Sequence, residues 1–263
     1  MQRPIRNLAQ TILCIAGVVS LGQPGAAQGT QGPTYFFQTT FDSFYVTERG
    51  GPAPARGPAI SVRPVAGMTG SFADDMRLTV LGGAAASRYA RTPESNTDSA
   101  FAMTTVSKTI AEHRIAASLL AARSYDPTFQ GGVASLLDTA LSISRTFTPA
   151  AADGWSITPL LKLTHRDANL PSARRWDASA WIELIRPALG GTVTLGGGYN
   201  WIDYLEGGRH DDRLGVSAIW LVDLNANMKV GLRSEASFAR SNQPGLSVNS
   251  FEIGPTLKVS FTH

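Results

Sequence analysis

The sequence is poor in three things, and each shortage removes a class of protein. It has one cysteine, Cys14, in 263 residues. Cys14 lies inside the apolar run Thr11–Leu21, so the chain beyond residue 27 has no disulfide and no thiolate chemistry. Charged residues make up only 16%, well below the roughly 25% of ordinary soluble domains. Low charge is not offset by high hydropathy, since hydrophobic residues are 43% and the mean hydropathy is −0.03. Beyond residue 27 no run of apolar residues reaches the length that a helix needs to cross about 30 Å of hydrocarbon. Sustained helical periodicity is missing too, and no composition shift divides the chain into two domains. What remains is a chain that alternates apolar with small polar residues, so that averages hide the pattern.

The first residues read as an export signal. Arg3 and Arg6 precede the short apolar run TILCIAGVVSL, and Gly25-Ala26-Ala27 forms a small-residue cleavage site. This order predicts a signal peptide over 1–27, cut after Ala27, followed by one domain over 28–263. The residues before Cys14 are Thr11, Ile12 and Leu13, which lack the small residue that precedes a lipidated cysteine. Lipid attachment is therefore not expected. Residues 1–27 carry two arginines and no acid, so the formal charge of +3 falls to +1 in the mature chain. That balance gives no reason to expect a nucleic-acid partner.

The dominant signal has a period of two. In FEIGPTLKVSF, residues 251–261, Phe251, Ile253, Leu257, Val259 and Phe261 alternate with Glu252, Gly254, Thr256, Lys258 and Ser260. Rows of this kind begin with Tyr35, Phe37, Phe41, Tyr45 and recur about every 20 residues, which predicts twelve strands of about 10–14 residues. The weakest is Ala100, Ala102, Val106, so counts of ten or fourteen stay open. Such strands exceed the 5–6 residues typical of globular sheets and suit the 9–11 tilted residues that cross a bilayer. Connections alternate between short ones, such as Ile110–His113 and Asp223–Asn227, and longer polar ones, such as Tyr89–Asp98 and Tyr204–Asp212. Short periplasmic turns and longer extracellular loops are the form of an outer-membrane barrel.

The aromatics agree with that form. With the first strand running outward from the periplasm, Tyr35, Phe37, Phe147, Trp155, Trp220 and Phe261 fall near the periplasmic rim. Tyr45, Trp176, Tyr199, Trp201, Phe238 and Phe251 fall near the outer rim. Two aromatic girdles are expected where amphipathic rings meet the two bilayer interfaces. A soluble β-sandwich also alternates, but it has no reason to place aromatics this way. The fold class expected is all-β, a transmembrane antiparallel β-barrel of about 12 strands.

The polar rows would then line the lumen. They carry Asp42, Arg63, Arg77, Arg114, Asp138, Lys162, Asp177, Glu183, Lys229, Arg233, Glu235, Glu252 and Lys258. Two readings compete. In the first, these residues are selectivity groups along a water-filled path. Alternatively, opposite charges pair across neighbouring strands and close it, with Lys229, Arg233, Glu235, Glu252 and Lys258 placed to do so. The near-balance of sign favours neither anions nor cations.

Catalytic chemistry is not legible. None of His113, His165, His210 and His263 has a serine two residues away, the local spacing of outer-membrane lipid hydrolases. Arg209-His210-Asp211-Asp212 is the densest cluster, and the expectation for it is a solvated loop tip rather than a general base or, with Glu206, a Ca²⁺ site. Gly196-Gly197-Gly198 lies within a strand with no helix after it, so it reads as a bend or close backbone approach, not a phosphate cradle. No metal, cofactor or enzymatic activity is expected.

Over residues 34–263 the pattern resembles bacterial outer-membrane β-barrels as a class. The final hairpin, Gly231-Leu232-Arg233 through Ser241-Asn242 to Leu257-Lys258-Val259-Ser260-Phe261, looks like the terminal hairpin of several proteobacterial barrel families. Surface lipoprotein assembly modifiers are among them, but their helical N-terminal repeat region is missing. The chain ends Phe261-Thr262-His263, where such barrels commonly end in an aromatic residue. The resemblance implies export through the periplasm to the outer membrane of a Gram-negative bacterium. It also implies outer-membrane lipids as surroundings and the barrel-assembly machinery as the insertion partner. The leading functional expectation is a porin-like passive channel for small polar solutes. The alternatives are a plugged barrel whose loops bind a partner and, less favoured, a barrel-embedded hydrolase.

Overall fold

A computed structural model describes residues 32–50, 54–73, 75–125, 132–149 and 154–263. The expected signal peptide over 1–27 lies outside the described residues. Twelve strands follow in chain order: β1 Thr34–Gly50, β2 Arg56–Ala73, β3 Met76–Tyr89, β4 Thr97–Ile110, β5 His113–Tyr125 and β6 Gly132–Ser144. Then come β7 Ser156–Ala168, β8 Arg175–Ala188, β9 Gly191–Tyr204, β10 His210–Asn225, β11 Met228–Ser241 and β12 Val248–Thr262. Each strand pairs with its sequence neighbours, and β1 pairs with β12, so the sheet closes into a barrel. Phe37 faces Phe261 across the closing seam. Closure leaves no row of unpaired backbone groups, the requirement for sheet in hydrocarbon.

The turns at the periplasmic end are tight. Ala111 and Glu112 join β4 to β5 at φ 47° and 68°, and Leu189 and Gly190 join β8 to β9 at 55° and 69°. Positive φ at both central residues is the hairpin geometry that matches strand twist. At the other end the connections are 51–55, 90–96, 126–131, 169–174, 205–209 and 242–247. They are shorter than the sequence suggested, because the strands run on into stretches read as loop and reach 13 to 18 residues. The reason is physical. Above the hydrocarbon the outward row need not be apolar, so alternation fades while the backbone ladder continues.

Antiparallel partners point to the same side of the sheet, so the register separates two faces. The outward face is apolar and open to its surroundings: Leu141 is 61% exposed, Leu161 58% and Ile60 56%. A continuous belt of this kind is far larger than the apolar patches of soluble monomers, and lipid is the solvent that accepts it. Ten of the twelve girdle aromatics lie on outward rows of strands. Phe147 and Trp155 sit just beyond β6 and β7, with Phe147 bridged to Ile157.

Two features shape the interior. Val65, Leu81, Phe101, Leu120 and Leu136 point inward from β2–β6 and form a buried apolar cluster, with Phe36 and Met103 packed against it. This explains the weakness of β4 in the sequence. Its outward residues are small (Ala100, Ala102), while its bulky ones (Phe101, Met103) face in. Opposite in sequence, Trp181 of β8 lies across a glycine floor. A Cβ on Gly198 would fall 2.2 Å from Trp181 Cε3, and one on Gly196 2.8 Å from Cζ2. The close approach expected of Gly196-Gly197-Gly198 is therefore an indole laid against the barrel wall.

Candidate functional site in the barrel lumen

The thirteen charged residues expected in the lumen share the inward face. Asp42 pairs with Ser61 and Arg63 with Thr40, Arg77 with Ser107, and Arg114 with Ser144. Asp138 pairs with Leu120, Lys162 with Ser142, Asp177 with Thr164, and Glu183 with Gly196. On the last hairpin Lys229 lies opposite Lys258, Arg233 opposite Gly254 and Glu235 opposite Glu252. The longer strands add inward charges that sequence reasoning missed: Glu48, Arg166, Arg175, Asp211, Arg213 and Asp223. The available signal was parity. Asp211 and Arg213 continue the row of Gly215 and Ser217.

The charges are grouped. On β1, β2, β11 and β12, Arg233 reaches Glu235 at 2.6 Å, Asp42 at 3.4 Å and Glu252 at 3.8 Å. Arg63 holds Asp42 at 2.5 Å. Like charges placed directly opposite repel, so Arg233 is what makes the Glu235–Glu252 pair tolerable. Lys229 turns from Lys258 to Asp223 at 2.7 Å.

A second group lies on β6–β10 toward the extracellular end. Arg166 grips Asp138 through two hydrogen bonds of 2.7 and 2.6 Å. Arg175 meets Asp177 at 3.0 Å and lies over the Tyr204 ring at 5.5 Å. Arg209 covers the same ring at 4.3 Å and pairs with Asp211, to which the Tyr204 hydroxyl donates at 3.3 Å.

What is left over is basic. Among the described residues Arg77, Arg114, Lys162, Arg213 and Lys258 have no carboxylate within 4.0 Å, whereas the acids named in both groups are all engaged. Arg77 donates instead to Thr69 Oγ1 at 2.7 Å. Buried Arg213 Nε and Asn200 Oδ1 have no hydrogen-bond partner among the described residues. With the apolar cluster filling the β2–β6 side, the polar part of the lumen is displaced toward the two charged groups.

The Arg209–Asp212 cluster is not the loop tip expected. β10 begins at His210, and alternation sends Asp211 inward to Arg209 and Asp212 outward to the Tyr199 hydroxyl. Asp211 and Asp212 are thus split across the wall, while His210 shares the outward side with Asp212 and lies opposite Asp203. His165 points outward against Trp176, ring centroids 4.6 Å apart, and His113 Nδ1 lies 2.9 Å from the Ala111 carbonyl. Among the described residues no three His, Cys, Asp or Glu are grouped to hold a metal ion.

No protein-family model and no curated protein matches the chain at the level of sequence. Solved structures do match. An outer-membrane channel from Pseudomonas putida F1 is similar over 91% of this chain and 99% of that one, at 11% identity and a TM-score of 0.53. The β domain of the Bordetella autotransporter BrkA is similar over 88% of this chain and 100% of that one, at 12% identity and a TM-score of 0.50. The KdgM porin, in complex with disordered oligogalacturonate, aligns over 84% of this chain and 99% of that one, at 11% identity and a TM-score of 0.48. The likeness is one of fold: the chain has the architecture of Gram-negative outer-membrane β-barrels.

Proposed function

We propose that this barrel resides in the outer membrane, is exported through the periplasm, and acts as a passive channel for small polar solutes with a preference for anions. One observation carries the preference. The acids of the two lumen groups are engaged by bases, while Arg77, Arg114, Lys162, Arg213 and Lys258 meet no carboxylate within 4.0 Å among the described residues. Paired charges largely cancel for a passing ion, and unpaired ones set the local potential. No catalytic step and no cofactor is part of this reading.

The test is single-channel current across a planar bilayer in asymmetric KCl. Stepwise conductance with a reversal potential on the chloride side supports the proposal. A reversal potential on the potassium side overturns the preference. Absence of steps from protein shown to be folded and inserted favours the second reading, a plugged barrel. That reading has its own support in the apolar cluster of Val65, Leu81, Phe101, Leu120 and Leu136, which fills one side of the lumen.

A further inference from the structure

The outward rows carry charge that the lumen reading does not use. At the extracellular end of β1–β5, Arg49, Arg56, Arg88 and Arg123 all face away from the lumen. Arg49 follows Tyr45 on the outward row of β1, and Arg56 pairs with Thr47 between them. Arg88 pairs with outward Ile60, and Arg123 with outward Ala100. Tyr45 belongs to the aromatic girdle, so these side chains begin at the membrane interface and rise above it. Arg49, Arg56 and Arg123 are exposed, and Arg123 is stacked on the Tyr125 ring at 5.5 Å.

One acid on this face is unusual. Asp98 occupies an outward position yet is 0% exposed. It receives Nη1 and Nη2 of Arg88 at 2.7 and 2.9 Å. A carboxylate in a lipid-facing row is costly unless it is paired. Its effect is to hold the Arg88 guanidinium in a fixed orientation at the interface, with 39% of the Arg88 side chain still exposed. The patch is therefore built, and three arginines remain in excess of this one acid. The rim is also uneven: on β9 and β10 the corresponding outward positions are Asp203 and Asp212, with a single arginine, Arg240 of β11, opposite Asp212.

We infer that the β1–β5 rim is a binding surface for the phosphate groups of a phosphorylated glycolipid in the outer leaflet. The acyl chains would lie on the apolar row below, beside Ile60 and Leu119, and the phosphates would meet the arginines. Arginine suits this role because its planar fork pairs with phosphate oxygens in a bidentate manner. The inference is independent of whether the lumen conducts.

The test is native mass spectrometry of the detergent-purified protein with a glucosamine-disaccharide bisphosphate lipid and with the same lipid dephosphorylated. The phosphorylated lipid is expected to be retained preferentially, and retention should fall about fivefold for each exposed arginine removed. The triple variant Arg49→Gln/Arg56→Gln/Arg123→Gln should lose that preference, and Arg240→Gln on β11 should keep it. If the triple variant fails to fold, the single Arg49→Gln change carries the same expectation at one step. Equal retention of both lipids, or an unchanged preference in the folded variants, overturns the inference. So does displacement by millimolar inorganic phosphate, which would mean a free-anion site instead.

Discussion

Arg166 and Asp138 face each other across β7 and β6 with two parallel hydrogen bonds, and both side chains are almost wholly buried. The pair fastens two strands from inside the wall, where water cannot substitute for a lost partner. Replacing Asp138 with Ala leaves a buried guanidinium uncompensated and is expected to destabilise the barrel by about 3–5 kcal/mol. Replacing both residues with apolar ones of similar volume should cost far less. Urea unfolding in detergent micelles, followed by the heat-modifiable gel shift, measures the difference.

Leu141 and Ser142 are adjacent, and alternation sends them to opposite solvents. Leu141→Arg puts a charge on the lipid face near mid-height and is expected to cost about 2–4 kcal/mol. Ser142→Arg puts the same charge beside Lys162 in the lumen and should fold with a much smaller loss. Equal losses from the two variants, measured by folding into vesicles, would contradict the assignment of faces.

Gly198 and Gly197 make a similar contrast in packing. A Cβ on Gly198 meets Trp181 at 2.2 Å and the Ala180 carbonyl at 2.5 Å, while one on Gly197 meets nothing nearer than 3.9 Å. Gly198→Ala is expected to destabilise by about 1–3 kcal/mol and to change the Trp181 fluorescence. Gly197→Ala should be close to neutral in both measurements.

Lys162 and Lys258 are expected to act on passing ions rather than on stability. A unit charge about 7 Å from an ion contributes about 0.6 kcal/mol in water, or roughly a threefold change in local anion occupancy. Lys258→Gln should lower the chloride-to-potassium permeability ratio by about that factor, read from the reversal potential. The double variant Arg166→Gln/Asp138→Asn, which removes both members of a pair whose charges already cancel, should change the ratio little in whatever fraction still folds.

The residues that were legible are those whose two faces meet different solvents. In β12 the contrast between Phe251 and Glu252 is plain, and the strand is where the alternation puts it. Contrast fails in two places, for two reasons. Above the interface both faces are polar, so Arg166 and Asp211 read as loop, and Arg175 and Arg213 fall between loop and apolar row, although their strands continue. Inside the apolar cluster both faces are greasy, so the doublets Leu119-Leu120 and Leu136-Leu137 mark where a leucine turns inward. Distant pairing choices were not legible: Arg233 and Asp42 lie 191 residues apart in the chain and meet only when the barrel closes.

The seam between β1 and β12 has a consequence in time. Tyr35 and His263 exchange backbone hydrogen bonds of 2.9 Å in both directions, so the ladder is completed by strands from opposite ends of the barrel sequence. Local hairpins such as β4–β5 can form as soon as they emerge. The first strand, however, must wait with a bare edge until the last one arrives. Contacts this distant in sequence are slow to find, and an open edge in hydrocarbon is costly throughout the delay. Completion of the barrel is therefore a single late event, and any change that shortens β12 should stall the whole assembly rather than loosen one strand.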